Sequence, residues 1–133
     1  MKTRELKEII NINRDIHWPP GNILCMMNER CLCVGGRNEI TIIDVKNKNI
    51  INEIKEYGVH RCLCKFNDNI LFTGNDNGDI KQWRFNGNNL TLVKKKENAH
   101  QNYICKIIAF NDFIISCSYD YSINIWLIPT LII

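Results

Sequence analysis

A strand-like segment recurs three times along this chain of 133 residues, at a spacing close to forty residues. The three segments are residues 39–45, 79–85 and 122–128. In each segment apolar side chains alternate with others, which is the period of a β-strand. Superposing the segments brings Ile43, Trp83 and Trp126 into register, at successive spacings of 40 and 43 residues. A strand-rich repeat of this length is typical of the blades of a β-propeller.

Each repeat contains further strand-like segments. Turns rich in Gly, Asn, Asp or Ser, which favour tight hairpins, lie at 35–38, 74–78 and 118–122. The predicted innermost strands are 23–27, 59–66 and 104–110, and the predicted outer strands are 6–12, 50–55 and 90–95. Four strands per period make one blade. The sequence therefore predicts one all-β domain over residues 1–133, a partial β-propeller of about three four-stranded antiparallel blades, with repeats at approximately 6–45, 50–85 and 90–128.

Composition agrees with a single folded domain. Hydrophobic residues make up 45% of the chain and charged residues 23%, as in ordinary globular proteins. The formal net charge is +3, from 17 basic and 14 acidic residues. A positive field this mild gives no argument for a nucleic-acid partner.

Cysteine usage and the two ends of the chain bear on location. Seven cysteines are an odd number, and the first ten residues mix charges with Leu and Ile instead of forming a signal peptide. No run approaches the roughly 20 apolar residues of a membrane span. The apolar tail at 123–133 is interrupted by Asn124 and Pro129, and it is predicted to be strand. We expect a reducing compartment, the cytoplasm or alternatively the nucleus, and no membrane partner.

The last repeat has a set of four residues that resembles the WD-repeat family. His100 precedes the innermost strand, Ser116 lies on the second strand, Asp120 in the tight turn and Trp126 on the third strand. In that family a His, a Ser or Thr, an Asp and a Trp at such positions form a hydrogen-bonded chain. The arrangement is physically reasonable, because a buried Trp N–H needs an acceptor and a carboxylate orients the imidazole. The resemblance implies a structural network of these four residues in the last repeat.

The second repeat keeps part of that set. Thr73 and Trp83 are present, but Asn77 stands where the Asp is expected. His60 lies only 13 residues before Thr73, whereas His100 lies 16 before Ser116, so His60 is predicted within the innermost strand.

The first repeat departs further from the family. It has Cys33 and Ile43 with no polar partners, and its turn is one residue shorter. The family's Trp-Asp dipeptide is absent, since Leu127 and Arg84 follow the two tryptophans.

Two groups of residues have both a chemical and a structural interpretation. His100, Ser116 and Asp120 have the residue types of a hydrolase triad, but the sequence lacks the sharp strand-to-helix turn that exposes a nucleophile. Residues 31–33 and 62–64 each place two thiols on one side of a strand, whereas zinc sites usually space paired cysteines more widely and on loops. We therefore predict no enzyme activity, no metal and no cofactor.

Basic residues offer a further alternative. Lys94 to Lys96, with Lys81, Arg84 and Lys106 elsewhere, have the charge to contact phosphate or RNA. The three consecutive lysines fall on a predicted outer strand, where charges commonly protect a sheet edge. A weak RNA-binding or phosphate-binding module therefore remains an alternative, beside a regulatory or targeting module of a larger enzyme complex.

The resemblance to WD-repeat propellers implies a scaffold that presents loops to a protein or peptide partner. We expect the contact residues on the loops between second and third strands and at the entries to the innermost strands, where aromatic and Arg side chains are frequent anchors. The candidates are Arg37, Tyr57, Arg61, Asn75, Gln101, Asn102 and Tyr119.

The predicted number of blades leaves open how the propeller ring is completed. Closed propellers have four to eight blades, and three would leave open edges. The ring is completed by missing blades of a longer chain, by a partner protein or by self-association. Of these, a truncated or degenerate repeat protein is favoured.

Overall fold

The computed structural model describes residues 9–10 and 23–128, and these form ten β-strands. The strands are β1 (Leu24–Met26), β2 (Cys31–Gly35), β3 (Arg37–Asp44), β4 (Asn49–Asn67), β5 (Ile70–Asn75), β6 (Ile80–Phe85), β7 (Leu90–Lys96), β8 (Ile104–Phe110), β9 (Phe113–Ser118) and β10 (Ile123–Leu127). Within this part of the chain there is no helix long and apolar enough to cross a membrane.

The strands are arranged as three antiparallel sheets, here called blades 1, 2 and 3. Blade 1 has the order β1-β2-β3-β4, blade 2 the order β4-β5-β6-β7, and blade 3 the order β10-β9-β8. Blades 1 and 2 therefore have four strands each, and blade 3 has three among the described residues. The prediction of an all-β partial propeller is confirmed. The predicted outer strand at 6–12 falls almost wholly outside the described residues.

Strand β4 belongs to two blades. The sequence predicted separate strands at 50–55 and 59–66, but the structure has one strand of 19 residues. It pairs with β3 from Asn49 to Lys55 and, after an irregularity, again at Val59 opposite Arg37, and it pairs with β5 from His60 onward. Gly58 lies between the halves with a φ of 112°, a conformation that side chains disfavour. The chain thus passes from the outer edge of blade 1 to the inner edge of blade 2 without a loop.

The hydrophobic core lies between blades and not within one of them. Alternate side chains of a strand point to opposite sides, so each blade contributes to two interfaces. Trp83 and Leu63 of blade 2 pack against Ile40 and Ile42 of blade 1. On the other side of blade 2, Phe72, Ile80 and Cys62 pack against Ile104, Ile107 and Ile114 of blade 3.

The shorter turn of the first repeat changes the register of blade 1. Ile43 pairs with Leu32 as Trp83 pairs with Leu71, so Ile43 occupies the tryptophan position. Cys33, however, pairs with Ile42 and faces blade 2. The interpretation of Cys33 as the counterpart of Thr73 was therefore wrong, because removing one turn residue moves the preceding strand to the other side of the sheet.

Substituting Phe72 tests whether the interface between blades stabilises the fold. Phe72 is fully buried, and its ring contacts that of Phe66 at a centroid distance of 6.0 Å. We expect Phe72→Ala to lower the free energy of unfolding by about 3–5 kcal/mol, because it leaves a cavity between two sheets. Urea unfolding monitored by Trp fluorescence measures this. The control is Tyr57→Ala, which removes an exposed ring and should change stability by less than about 0.5 kcal/mol; equal effects would contradict the assignment.

Candidate structural network and partner-binding face

A chain of hydrogen bonds joins four side chains of blade 3. His100 lies between β7 and β8 and is almost fully buried. Its Nε2 is 2.7 Å from the Oγ of Ser116 on β9, and its Nδ1 is 3.1 Å from Oδ2 of Asp120 in the β9–β10 turn. The indole N–H of Trp126 donates to the same Ser116 Oγ at 2.9 Å. The structure thus brings together all four residues grouped from the sequence.

The bonds define the proton positions on the imidazole. If Nδ1–H donates to Asp120, then Nε2 accepts from the Ser116 hydroxyl, whose oxygen accepts from Trp126. Hydrogen bonds from the Ser122 hydroxyl and the Gln101 backbone N–H hold the pKa of Asp120 well below its usual range. The carboxylate is therefore ionised at neutral pH. Every side-chain polar atom of these four residues has a hydrogen-bond partner. A fully satisfied network of this kind makes the blade more rigid.

This arrangement does not support nucleophilic catalysis. The Ser116 side chain is fully buried, and its oxygen is already engaged by both His100 and Trp126. A nucleophile needs an exposed oxygen beside a group that can stabilise an oxyanion.

Blade 2 keeps only one link of the network. The indole N–H of Trp83 donates to Thr73 Oγ1 at 3.0 Å, and both side chains are buried. The turn, however, is held by Asn75, whose Oδ1 accepts the N–H groups of Asn77 and Asp79. By register Asn77 lies at the position of Asp120, four residues after Thr73 as Asp120 lies four after Ser116. Strand register matches His60 to Ile104, so the residue four positions earlier that matches His100 is Glu56, and no imidazole is there for Asn77 to orient.

In blade 2 a buried lysine links β6 to the segment just before the inner half of β4. Lys81 is only 2% exposed, and its Nζ donates to the backbone oxygen of Tyr57 at 2.6 Å and to Oε2 of Glu56 at 2.9 Å. In blade 3 the pairing places Asn124 at the equivalent position, where it donates to the Ala99 oxygen. Lys81 is one of the basic residues of the phosphate hypothesis, but its side chain is buried. Its position two residues before Trp83, on the same side of β6, was the signal that it points inward.

His60 fills the space beside Trp83. It lies on β4, as predicted, and is fully buried with its ring edge-on to Trp83 at a centroid distance of 6.4 Å. Its Nε2 is 3.1 Å from the Glu56 backbone oxygen, and its Nδ1 has no hydrogen-bond partner among the described residues. Burial lowers the pKa of His60 to about 4. The imidazole is therefore neutral at physiological pH.

Three of the predicted partner-binding residues are accessible at one end of blade 3. Tyr119 lies in the β9–β10 turn with about half of its side chain exposed, and Gln101 and Asn102 lie on the exposed loop before β8. Tyr119 packs on Tyr103 at a centroid distance of 5.6 Å. The guanidinium of Arg61 lies 4.4 Å from the centroid of that second ring. These three residues, Arg61, Tyr103 and Tyr119, are called the Arg–Tyr stack below.

The sequence assigned the members of this face incompletely. Tyr103 was missed, because nothing in a single sequence places it beside Tyr119. Arg61 is 5% exposed and Asn75 is 1% exposed, so neither presents the free surface that was expected. Arg61 supports the tyrosines and Asn75 supports a turn.

The remaining two candidates lie at a polar pocket. Arg37 and Tyr57 are exposed and line a shallow pocket of about 160 Å³ together with Asp76 and Asn77. Its walls come from blades 1 and 2, since Arg37 starts β3 and Tyr57 precedes the inner half of β4. The pocket therefore offers charges of both signs beside an aromatic ring.

The structure shows where the paired cysteines and the consecutive lysines lie. Burial raises the pKa of Cys33 and Cys62 to about 12 and that of Cys64 to about 11, which keeps these thiols protonated. No group of three or more potential metal ligands occurs within the described ranges. Lys94 to Lys96 lie exposed on the outer strand β7, and Lys95 pairs with Glu97 at 3.2 Å.

Comparison with known proteins identifies the fold. No protein-family model matches the chain, and no curated protein is significantly similar to it. A chain in the crystal structure of the Mitotic Checkpoint Complex matches with a TM-score of 0.65 and 21% identity, over 75% of this chain and 32% of that one.

Two further solved structures match comparably. The computationally designed Ika8 protein has a TM-score of 0.64 and 16% identity over 78% of this chain and 32% of its own. Sqt1 of Saccharomyces cerevisiae has a TM-score of 0.65 and 12% identity over 78% and 30%. This chain spans about a third of the length of the solved chains that it matches. The likeness shows a WD-repeat-like propeller fold.

One serine variant and one threonine variant test the hydrogen bonds to the two tryptophans. Ser116→Ala leaves both His100 Nε2 and Trp126 N–H without their partner, so we expect a loss of about 2–3 kcal/mol in the free energy of unfolding. Thr73→Ala removes the acceptor of Trp83 alone and should cost about 1–2 kcal/mol. Urea unfolding gives both values. Thr91→Ala, at an exposed position on β7, is the control; a Ser116→Ala effect as small as that of the control would refute the network.

His60 predicts loss of stability at mildly acid pH. Its pKa is about 4 in the folded chain and about 6.5 when unfolded. Between these values the unfolded chain binds more protons, so the free energy of unfolding falls as the pH drops from 6.5 toward 4. Unfolding midpoints measured at pH 7 and pH 5 should differ in the wild type and differ less in His60→Phe. An identical pH dependence in the two proteins would exclude His60 as the cause.

Proposed function

We propose that this chain is a non-enzymatic protein–protein interaction scaffold that presents loops to a protein or peptide partner. The observation on which this rests is the Arg–Tyr stack, an ordered aromatic surface at the end of the blades. Arg61 comes from β4 of blade 2, Tyr103 precedes β8, and Tyr119 lies in the β9–β10 turn. The stack therefore spans two blades and exists only when they are packed together.

The stack has the properties of a binding anchor. Tyr103 and Tyr119 are 39% and 52% exposed, so each ring offers apolar area and a hydroxyl to a ligand. The backbone N–H of Tyr119 donates to the backbone carbonyl oxygen of Tyr103 at 3.0 Å. This bond fixes the two backbone segments relative to each other. Preordered aromatic side chains lose little conformational entropy on binding. Tyrosine and arginine are also enriched among the residues that dominate interface energies.

The pocket beside Arg37 and Tyr57 extends the proposed surface toward blade 1. Arg37 can donate to a carboxylate or a backbone carbonyl of a peptide, and Asp76 can accept from an N–H group or pair with a cation. An extended peptide contains both kinds of group along its backbone and side chains. The proposed partner is therefore a polar peptide segment that places an apolar side chain on the tyrosines.

The alternatives receive less support from the arrangement of charges. Of the basic residues in the phosphate hypothesis, Lys81 is buried in an ion pair, and Lys95 pairs with Glu97. Charged side chains on an outer strand are typical of a protected sheet edge. A regulatory or targeting role within a larger enzyme complex is a variant of the scaffold proposal and would use the same surface.

Location is proposed from the thiols. All seven cysteines are free, and burial keeps several of them protonated. Free buried thiols are typical of reducing compartments. We propose the cytoplasm, with the nucleus as the alternative.

Alanine substitution of the two stacked tyrosines tests the scaffold proposal. A partner is first captured with the wild-type chain from the native organism, and its dissociation constant is measured by calorimetry. The double variant Tyr103→Ala/Tyr119→Ala should weaken binding at least tenfold, because it removes about 2 kcal/mol or more of anchor energy. Tyr57→Ala should weaken it by a smaller factor.

Tyr121→Ala is the matched control, since this tyrosine is fully exposed but has no ring partner among the described aromatic contacts. Binding that is unchanged in the double variant would reject the stack as the anchor. Binding that instead weakens steeply with salt and follows Lys94→Ala/Lys96→Ala would favour the phosphate or RNA alternative.

A further inference from the structure

Blade 3 has one covered side and one open side. Its covered side faces blade 2 through Ile104, Ile107 and Ile114. On the open side six large apolar side chains are between 37% and 72% exposed. They are Ile108, Phe110, Phe113, Ile123, Ile125 and Leu127, and they form what is called here the blade-3 outer face.

Strand pairing confirms that these side chains share one side of the sheet. Ile108 lies opposite Ile115 and Phe110 opposite Phe113 in the β8–β9 pair. Ile115 in turn lies opposite Ile125 in the β9–β10 pair, and paired residues project to the same side. The apolar surface is therefore continuous across all three strands.

The corresponding side of blade 2 shows what such a surface does. By register Phe72 matches Ile115 and Ile80 matches Ile123, and both blade 2 residues are fully buried against blade 3. Phe66, which corresponds to Phe110, is also packed there. The blade-3 outer face thus has the composition of an interface between blades but has no blade against it within the described structure.

The exposed apolar area is at the upper limit of what a monomer usually leaves open. Taking roughly 180 Å² for a fully exposed large apolar side chain, the six residues expose about 600 Å². This reaches the upper end of the largest patch on a typical monomer. A pocket of about 190 Å³, lined by Ile108, Ile115, Ile123 and Cys117, lies within it. Among the described residues that line the pocket, Lys106 is the charged one.

The opposite end of the described structure does not offer an equal surface. The side of blade 1 that faces away from blade 2 includes Val34, Thr41 and Ile43, which are 3%, 1% and 2% exposed. Among the large apolar side chains that strand pairing places on that side, three are more than a third exposed, namely Leu24, Met26 and Ile50, against six on the blade-3 outer face. A head-to-tail contact between copies would therefore set a large apolar surface against a small one. Among the described residues, the surface that matches the blade-3 outer face in size and polarity is the same face on a second copy.

We propose that two copies of this chain associate through their blade-3 outer faces about a twofold axis. The two sheets pack as in a β-sandwich, with side chains of each face between those of the other. The contact is isologous, because the same patch serves on both copies. About 600 Å² from each copy gives roughly 1,200 Å² in total, the lower end of specific interfaces. This inference is independent of the proposed partner-binding role, whose residues lie on the loops.

Sedimentation velocity of the full chain tests the proposal. The wild type should show a monomer–dimer equilibrium with a dissociation constant in the micromolar range. Ile125→Lys places a charge in the middle of β10 and should raise that constant at least tenfold. Phe110→Ser should raise it by a smaller factor without adding a charge. Far-UV circular dichroism and Trp fluorescence establish that each variant is folded.

Thr91→Lys is the matched control, because it adds the same charge at an exposed position on β7, away from the blade-3 outer face. It should leave the dimer constant unchanged. A wild type that is folded and monomeric at 100 µM overturns the proposal, as does equal weakening by Thr91→Lys and Ile125→Lys. A mass that keeps rising with concentration also overturns it, since open stacking or edge pairing and not a closed twofold contact would be responsible.

Discussion

The packing of single sheets against one another is the constraint on which this structure depends. A blade is one layer thick, and its strands point successive side chains to opposite sides. Blade 2 shows the consequence, with Trp83 buried on one side and Phe72 on the other. No blade can cover its own apolar side chains, so the stability of each comes from its neighbours. The exposed side of blade 3 is the same constraint seen where no neighbour is present among the described residues.

Buried polar interactions add rigidity to this packing. Blades 2 and 3 use different side chains for these interactions. Blade 3 has an imidazole that links Asp120 to Ser116 and Trp126. Blade 2 keeps the Thr73–Trp83 bond but replaces the imidazole by the buried Lys81–Glu56 ion pair. The His100 network and the Lys81–Glu56 ion pair both hold the segment that crosses from one blade to the next. The loops at that end are consequently held in place, and the Arg–Tyr stack is built on them.

A large part of the fold was predictable, because it follows from local pattern. Period-two alternation located most of the strands, and the repeat spacing indicated blades. The four residues of the blade 3 network were also found from the sequence, since family-like positions identified each of them. An error arose where one residue of turn length changes the outcome, as at Cys33. The single strand β4 was divided in two, because Gly58 resembles a turn in sequence and is an irregularity within a strand in the structure.

The sequence by itself determined the strand content, the repeat length and the residues of the blade 3 network, because these depend on neighbours close along the chain. Tertiary structure alone decided that Lys81 is buried, that Arg61 and Tyr103 meet, and that one side of blade 3 is left open. Each of these depends on which blade lies beside which and on the exact register between strands. Such contacts join residues tens of positions apart, and no local pattern encodes the distance between them.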